Sequence, residues 1–164
     1  SDVCSSDLRR AMGAAPDAPL PRLAELCGRL AAEWKTPVDL RMASAGTGVP
    51  DDLIGSLCLA VHEGVVNALQ HGHPSRVTVD VRVSPEAVHV SIVDDGRGFP
   101  FSGRKEHPEL TTHDLGPRTL RERVAAHGGS LAVESTALGA RVEFDLPVGG
   151  GAASDQSQLL RAAK

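Results

Sequence analysis

The sequence predicts a single α/β domain in which amphipathic helices alternate with paired strands. Three observations carry this reading. Apolar residues recur at helical spacing over Leu20 to Trp34 and Asp51 to His71, two pairs of alternating runs read as hairpins, and Gly- and Pro-rich breaks separate them. At 164 residues, 41% of them apolar, the chain is long enough to bury one core.

Taken in order, residues 1 to 18 are small and polar, broken by Pro16, and are expected to be a tail, a linker or a cloning scar outside the fold. Leu23, Leu26, Cys27 and Leu30 then mark a helix that Pro37 stops, and Val38 to Met42 reads as a short strand. After the Gly-rich loop Ala43 to Pro50, Asp51 and Asp52 open the central helix, where acids suit the positive end of the helix dipole. Ile54, Leu57, Val61, Val65 and Ala68 form its apolar stripe, and Gly72-His73-Pro74 closes it. Arg76 to Val83 and Ala87 to Val93 read as a hairpin joined at Ser84-Pro85-Glu86. Beyond Asp94 the chain is rich in Gly, Pro and charge up to Leu115, so a loop of about twenty residues, a candidate binding lid, is expected there. Arg118 to His127 reads as a helix ended by Gly128-Gly129, and Ser130 to Ser135 with Arg141 to Leu146 make a closing hairpin. The domain is expected to span residues 19–148, with 149–164 a flexible tail.

Composition narrows the function. A net charge of -4, with three Phe, one Trp and no Tyr, provides neither the basic footprint nor the stacking aromatics of a nucleic-acid binder. The uncharged apolar runs fall short of a membrane span, so a cytoplasmic segment without membrane contact is expected. Cys4, Cys27 and Cys58 form no CxxC pair and read as reduced thiols.

Three segments carry chemistry. Glu63 is the one formal charge between Asp52 and Arg76, and Asn67 lies one turn on, about 40° away on the side opposite the apolar stripe. Leu59 and Val66 flank the pair, which suggests an apolar wall, and a buried carboxylate needs a partner or a cation. Taken alone, the segment is more often an amphipathic helix with one exposed Glu and a satisfied Asn. The second segment, Asp94-Asp95-Gly96-Arg97-Gly98-Phe99, leaves a strand end; its glycines allow close backbone approach and Asp94 can accept from an exocyclic amine such as adenine's, although Asp-Gly is more often a plain turn. The third, His113 to Arg123, is a loop feeding a helix start, where backbone N–H groups and arginines favour phosphate. His62-Glu63 opens like a zinc HExxH motif, but Val66 stands at the second ligand position, and His71 with His73 reads as a solvated loop pair rather than a metal site.

In their order HEGVVNALQHG, DDGRGF and GPRTLRERVAAHGGSLAVES resemble the boxes of the ATP-binding catalytic domain of sensor histidine kinases, within the superfamily of gyrase, Hsp90, histidine kinase and mismatch-repair ATPases (the GHKL or Bergerat fold). The resemblance runs from roughly Leu20 to Pro147 and is closest to the subclass that pairs with LuxR-type response regulators. It implies a two-layer α/β sandwich, with helices on one face of a mixed, mainly antiparallel sheet of about five strands and ATP held between the Glu63 helix and the lid. It implies that Asn67 holds Mg²⁺ bridging the phosphates, that Glu63 is a catalytic base or water-orienting group, and that His71 reaches a phosphate. It assigns the adenine amine to Asp94, close approach to Gly96 and Gly98, the phosphate cradle to Gly116, and added positive charge to Arg118 and Arg121. The implied activity is transfer of the ATP γ-phosphoryl group to a histidine on a separate dimerisation domain, and the implied partners are that domain and a LuxR-type response regulator. No phosphoacceptor hairpin fits residues 1 to 18, so a detached catalytic domain or fragment is expected.

The chain also departs from the family pattern. HDLGPRTL replaces a segment that in relatives resembles HGLGLRGM, so Asp114, Pro117 and Thr119 stand in place of Gly, Leu and Gly. The added side chains are expected to obstruct phosphate approach, Asp114 is expected to set a negative charge near the triphosphate, and Pro117 removes one backbone donor. Gly139-Ala140 replaces a Gly-Thr whose hydroxyl helps bind adenine. Weakened ATP affinity is expected. The alternatives are a degenerate nucleotide-binding or docking module and an anti-sigma-factor-type serine kinase.

Overall fold

The computed structural model describes residues 20–45 and 48–149, so the expected N-terminal tail and nearly all of the C-terminal one lie outside the described residues. Helix α1 (Leu20–Trp34) leads into strand β1 (Val38–Ser44), then helix α2 (Asp51–Asn67), which ends in a π-helical turn (Ala68–Gly72). Strands β2 (Val77–Val83) and β3 (Ala87–Asp94) follow, then β4 (Gly103–Lys105), α3 (His107–Thr112), α4 (Arg118–Ala126), β5 (Leu131–Thr136) and β6 (Gly139–Pro147). The six strands lie in the order β1-β2-β3-β6-β5-β4; only β1–β2 is parallel. The result is the expected mixed, mainly antiparallel sheet, with one strand more than the residues announced.

Helices cover one face of this sheet, and the alternation of the strands explains why. Val77, Val79, Val81 and Val83 of β2 and Val88, Val90 and Ile92 of β3 are buried, while Arg82, His89 and Ser91 between them are not. The apolar stripe foreseen on α2 is the core's centre: Leu57, Val61 and Val65 are fully buried. With the π turn, Asp51–Gly72 is long and apolar enough to cross a membrane by length and composition. Its stripe is spent against the sheet, so here it is a core helix.

Two expectations need correction. The lid is not a bare loop: β4 pairs with β5, and α3 is closed by a reciprocal capping box between Glu106 and Glu109, with Leu110 fully buried beneath it. Leu59 does not wall the Glu63–Asn67 pair but is 52% exposed.

Candidate functional site

The three segments meet. The C-terminal end of α2 turns through a π-helical loop, a backbone device that recurs at functional sites. Its last carbonyl, on Gly72, accepts from the Arg97 amide at 2.9 Å, so the helix end and the DDGRG loop are tied together. Asp95 strengthens the tie: its carboxylate accepts from the Ser75 and Arg76 amides at 2.8 and 3.1 Å and from the Ser75 hydroxyl. The hydroxyl bond first, then the Arg76 amide, holds the Asp95 carboxyl below its ordinary range. On the other side, Ser135 Oγ accepts from the Phe99 amide at 2.7 Å and anchors the loop to β5.

Between these elements lies a cavity of about 350 Å³. Asn67, His71 and Gly72 line it from the helix end, Asp94, Gly98 and Phe99 from β3 and its loop, Asp114, Leu115 and Gly116 from the lid, and Ala140 from β6. A second groove, about 260 Å³, adjoins it through Asn67 and runs between Glu63 of α2 and Pro117, Arg118 and Thr119 at the start of α4. A mostly apolar chamber with one buried carboxylate, Asp94, and a second, exposed one, Asp114, at its edge opens past an amide side chain onto a helix N-terminus, which suits a base at one end and phosphates at the other.

Asp94 is the polar residue on the chamber floor, 8% exposed, with Oδ1 accepting from the Gly96 amide at 2.9 Å. Burial, aided by Asp95, pushes its carboxyl up, while the backbone bonds from Gly96 and Ala140 pull the other way. Asn67 is half-buried and His71 exposed at the rim; neither side chain has a hydrogen-bond partner among the described residues, so both are available to a ligand.

Not every expected site residue lines the chamber. Glu63 faces the second groove instead, and its two oxygens accept from Arg123 Nε and Nη2 at 3.2 and 2.9 Å. That fork gives the half-buried carboxylate a guanidinium partner. Gly96 packs against the π turn, where a Cβ would stand 2.7 Å from the Gly72 carbonyl carbon, so its smallness permits close approach to that backbone. Gly98, at φ 74°, does line the cavity; a Cβ there would meet Ser135 Oγ at 2.6 Å. Arg118 borders the groove but pairs with Glu122, and remains largely exposed.

Arg121 is a correction. It is 6% exposed, and its guanidinium donates to the carbonyls of Leu110 and Leu115 and, at 2.7 Å, to Asp114 Oδ1. Its side chain is committed to the lid because a buried guanidinium must find acceptors, and the lid carbonyls supply them. Asp114, expected as an obstruction, is the other half of that pair. Sequence reasoning missed Phe99, Leu115 and Arg123; an apolar Phe closing a polar loop was the available signal for the first, and nothing local announced the last.

Comparison with known proteins decides the family. Residues 37–131 match the family described as histidine kinase-like ATPase domain. The chain belongs to that family. Blue-light-activated histidine kinase 2 of Erythrobacter litoralis is 32% identical over 105 residues, covering 61% of this chain and 29% of the relative. The sensor histidine kinase LiaS of Bacillus subtilis is 24% identical over 115 residues, covering 70% and 30%. The chain thus spans less than a third of these curated relatives. Among solved structures, the ATP binding domain of PrrB from Mycobacterium tuberculosis superposes with a TM-score of 0.56 at 25% identity, covering 78% of this chain and 92% of that one. The histidine kinase domain of the Erythrobacter litoralis EL346 blue-light kinase gives 0.59 at 25% identity, covering 88% and 70%. The histidine kinase-like ATPase domain fold therefore accounts for the two layers, and the cavity occupies the space between α2 and the lid.

Proposed function

We propose that this domain binds Mg-ATP and donates its γ-phosphoryl group to a histidine on a dimerisation domain of a cytoplasmic sensor-kinase module, with a LuxR-type response regulator downstream. The observation that carries the reading is the single cavity that joins Asn67, Asp94 and the lid, continued by a groove onto the start of α4. The order of the three boxes supports the regulator class.

Adenine enters beside Phe99 and Ala140, and Asp94 accepts a hydrogen bond from an N–H of its exocyclic amine. The phosphates pass Gly116 on the cavity wall and Asn67 toward the groove, where the amides opening α4 face them; Pro117 contributes no N–H, so this cradle has one donor fewer. Magnesium usually takes one or two protein ligands beside phosphate oxygens and water, and the free Asn67 amide at the junction fits that modest demand. When bound it neutralises phosphate charge, which is most of what phosphoryl transfer asks. His71 adds a donor at the rim, and Glu63, aimed by Arg123, accepts the proton of the incoming nucleophile. Arg118 supplies exposed charge at the groove.

Titration of the chain with ATP, with and without Mg²⁺, tests this. Saturable, magnesium-strengthened binding that Asn67→Ala weakens about tenfold, the size of one lost charge-assisted contact, is expected. An affinity unmoved by the substitution overturns the assignment. Restoring Thr at Ala140 addresses the degenerate-module alternative, which expects a large gain in affinity.

A further inference from the structure

We infer that Asp114 and Arg121 form a latch that orders the lid before any nucleotide arrives, which makes Asp114 a positioning residue of the site and not an obstruction in it. The consequence for binding rests on reading the cavity as a nucleotide site; the latch itself does not.

Arg121 springs from α4, yet every acceptor it reaches lies in the lid: the Leu110 and Leu115 carbonyls through Nη1 and Asp114 Oδ1 through Nη2. Its side chain is 7% exposed, so its positive charge is held out of water and requires a counter-ion. Among the described residues, Asp114 is the carboxylate hydrogen-bonded to it, and Asp114 is itself 64% exposed, at the edge of the cavity. The backbone agrees with this role. Asp114 sits at φ 48°, a left-handed conformation that Asp and Asn accept more readily than most side chains. Three successive amides close the turn around it: His113 to the Glu109 carbonyl, Asp114 to Thr111 and Leu115 to Leu110. The Leu110 carbonyl thus receives both the Leu115 amide and the Arg121 guanidinium, and Leu115 and Gly116 are delivered to the cavity wall by this knot. A lid fixed from α4 does not have to be ordered by its ligand, so less conformational entropy is lost on binding.

The test is amide hydrogen exchange of the free protein at His113, Asp114 and Leu115, in the wild type, Asp114→Asn and Asp114→Gly, with Mg-ATP affinity measured on the same samples. Asn keeps the turn and the size but not the charge. Gly accepts the same backbone but removes the side chain with its charge, and neither change touches the core. Exchange about fivefold faster in Asp114→Asn and faster still in Asp114→Gly is expected, the scale of one charge-assisted bond with a half-solvated partner. Mg-ATP affinity should fall by a similar factor. Unchanged exchange in both variants overturns the latch. Faster exchange with equal or higher affinity overturns the positioning role. If exchange accelerates but the wild type binds no nucleotide, the latch stands and the nucleotide reading falls.

Discussion

Adding one methyl group at Gly96 should damage the fold and the cavity together. A Cβ there would stand 2.7 Å from the carbonyl carbon and 2.9 Å from the Cα of Gly72, against the 3.4 Å at which ordinary contact begins. The nearest atoms are all backbone, so no side chain can rotate aside; either the π turn or the DDGRG loop must move. Movement stretches the Arg97 amide to Gly72 carbonyl bond of 2.9 Å and disturbs Asp94, whose carboxylate receives the Gly96 amide. Overpacking of this kind costs about 2–3 kcal/mol. With an unfolding entropy of roughly 0.27 kcal/mol per degree for a domain this size, Tm should drop by about 7–11 °C. Gly28 in α1 is the control, because a Cβ there meets nothing within 4 Å; Gly28→Ala should stabilise by about 0.5–1 kcal/mol through helix propensity. Thermal melts followed by circular dichroism read both. A Gly96→Ala protein that melts within a degree or two of the wild type would refute the close packing of loop on helix end.

Further outcomes follow from the same geometry. Glu63 and Arg123 should couple in a double-mutant cycle of Glu63→Gln and Arg123→Gln by about 1 kcal/mol at low salt, and less in 0.5 M salt, since the pair is part-buried and forked. A coupling near zero at low salt would show the fork is not formed in solution. Leu57→Ala, at a fully buried site in the core's centre, should cost about 2–5 kcal/mol by urea denaturation; a smaller loss means the helix is less tightly packed than described. Burial, with a lesser push from Cys58, raises the Cys27 thiol to about 12 from its ordinary 9.0. The unfolded chain therefore ionises first as pH rises, so this contribution to stability is intact below about pH 9 and lost on the way to pH 12. Cys27→Val should lose less stability than the wild type between pH 8 and 10.5, and equal losses would contradict the shift.

Much of this was legible because it is local and periodic. The stripe of Ile54, Leu57, Val61 and Val65 names its own buried face, and the period-two runs of β2 and β3 name theirs. What escaped is what local pattern does not encode. Helix α3 is capped by Glu106, outside the usual Ser, Thr, Asp and Asn set, and β4 is three residues that exist only because β5 lies beside them. The π turn inserts a residue into a helix whose apolar spacing runs on undisturbed to Ala68. Partners far apart in sequence were equally hidden: Glu63 meets Arg123 sixty positions away. For Arg121 the sequence shows a guanidinium that favours an anion, and the anion it meets is Asp114, seven positions back in the lid.

The most direct test of the whole account is calorimetric titration of wild-type and Asp94→Asn protein with a non-hydrolysable ATP analogue and Mg²⁺. Wild type should bind saturably at one site, and the substitution should weaken binding by about tenfold or more, the value of a charge-assisted hydrogen bond in a buried floor. Equal affinities, or no binding by the wild type, would contradict the claim that this cavity reads adenine through Asp94.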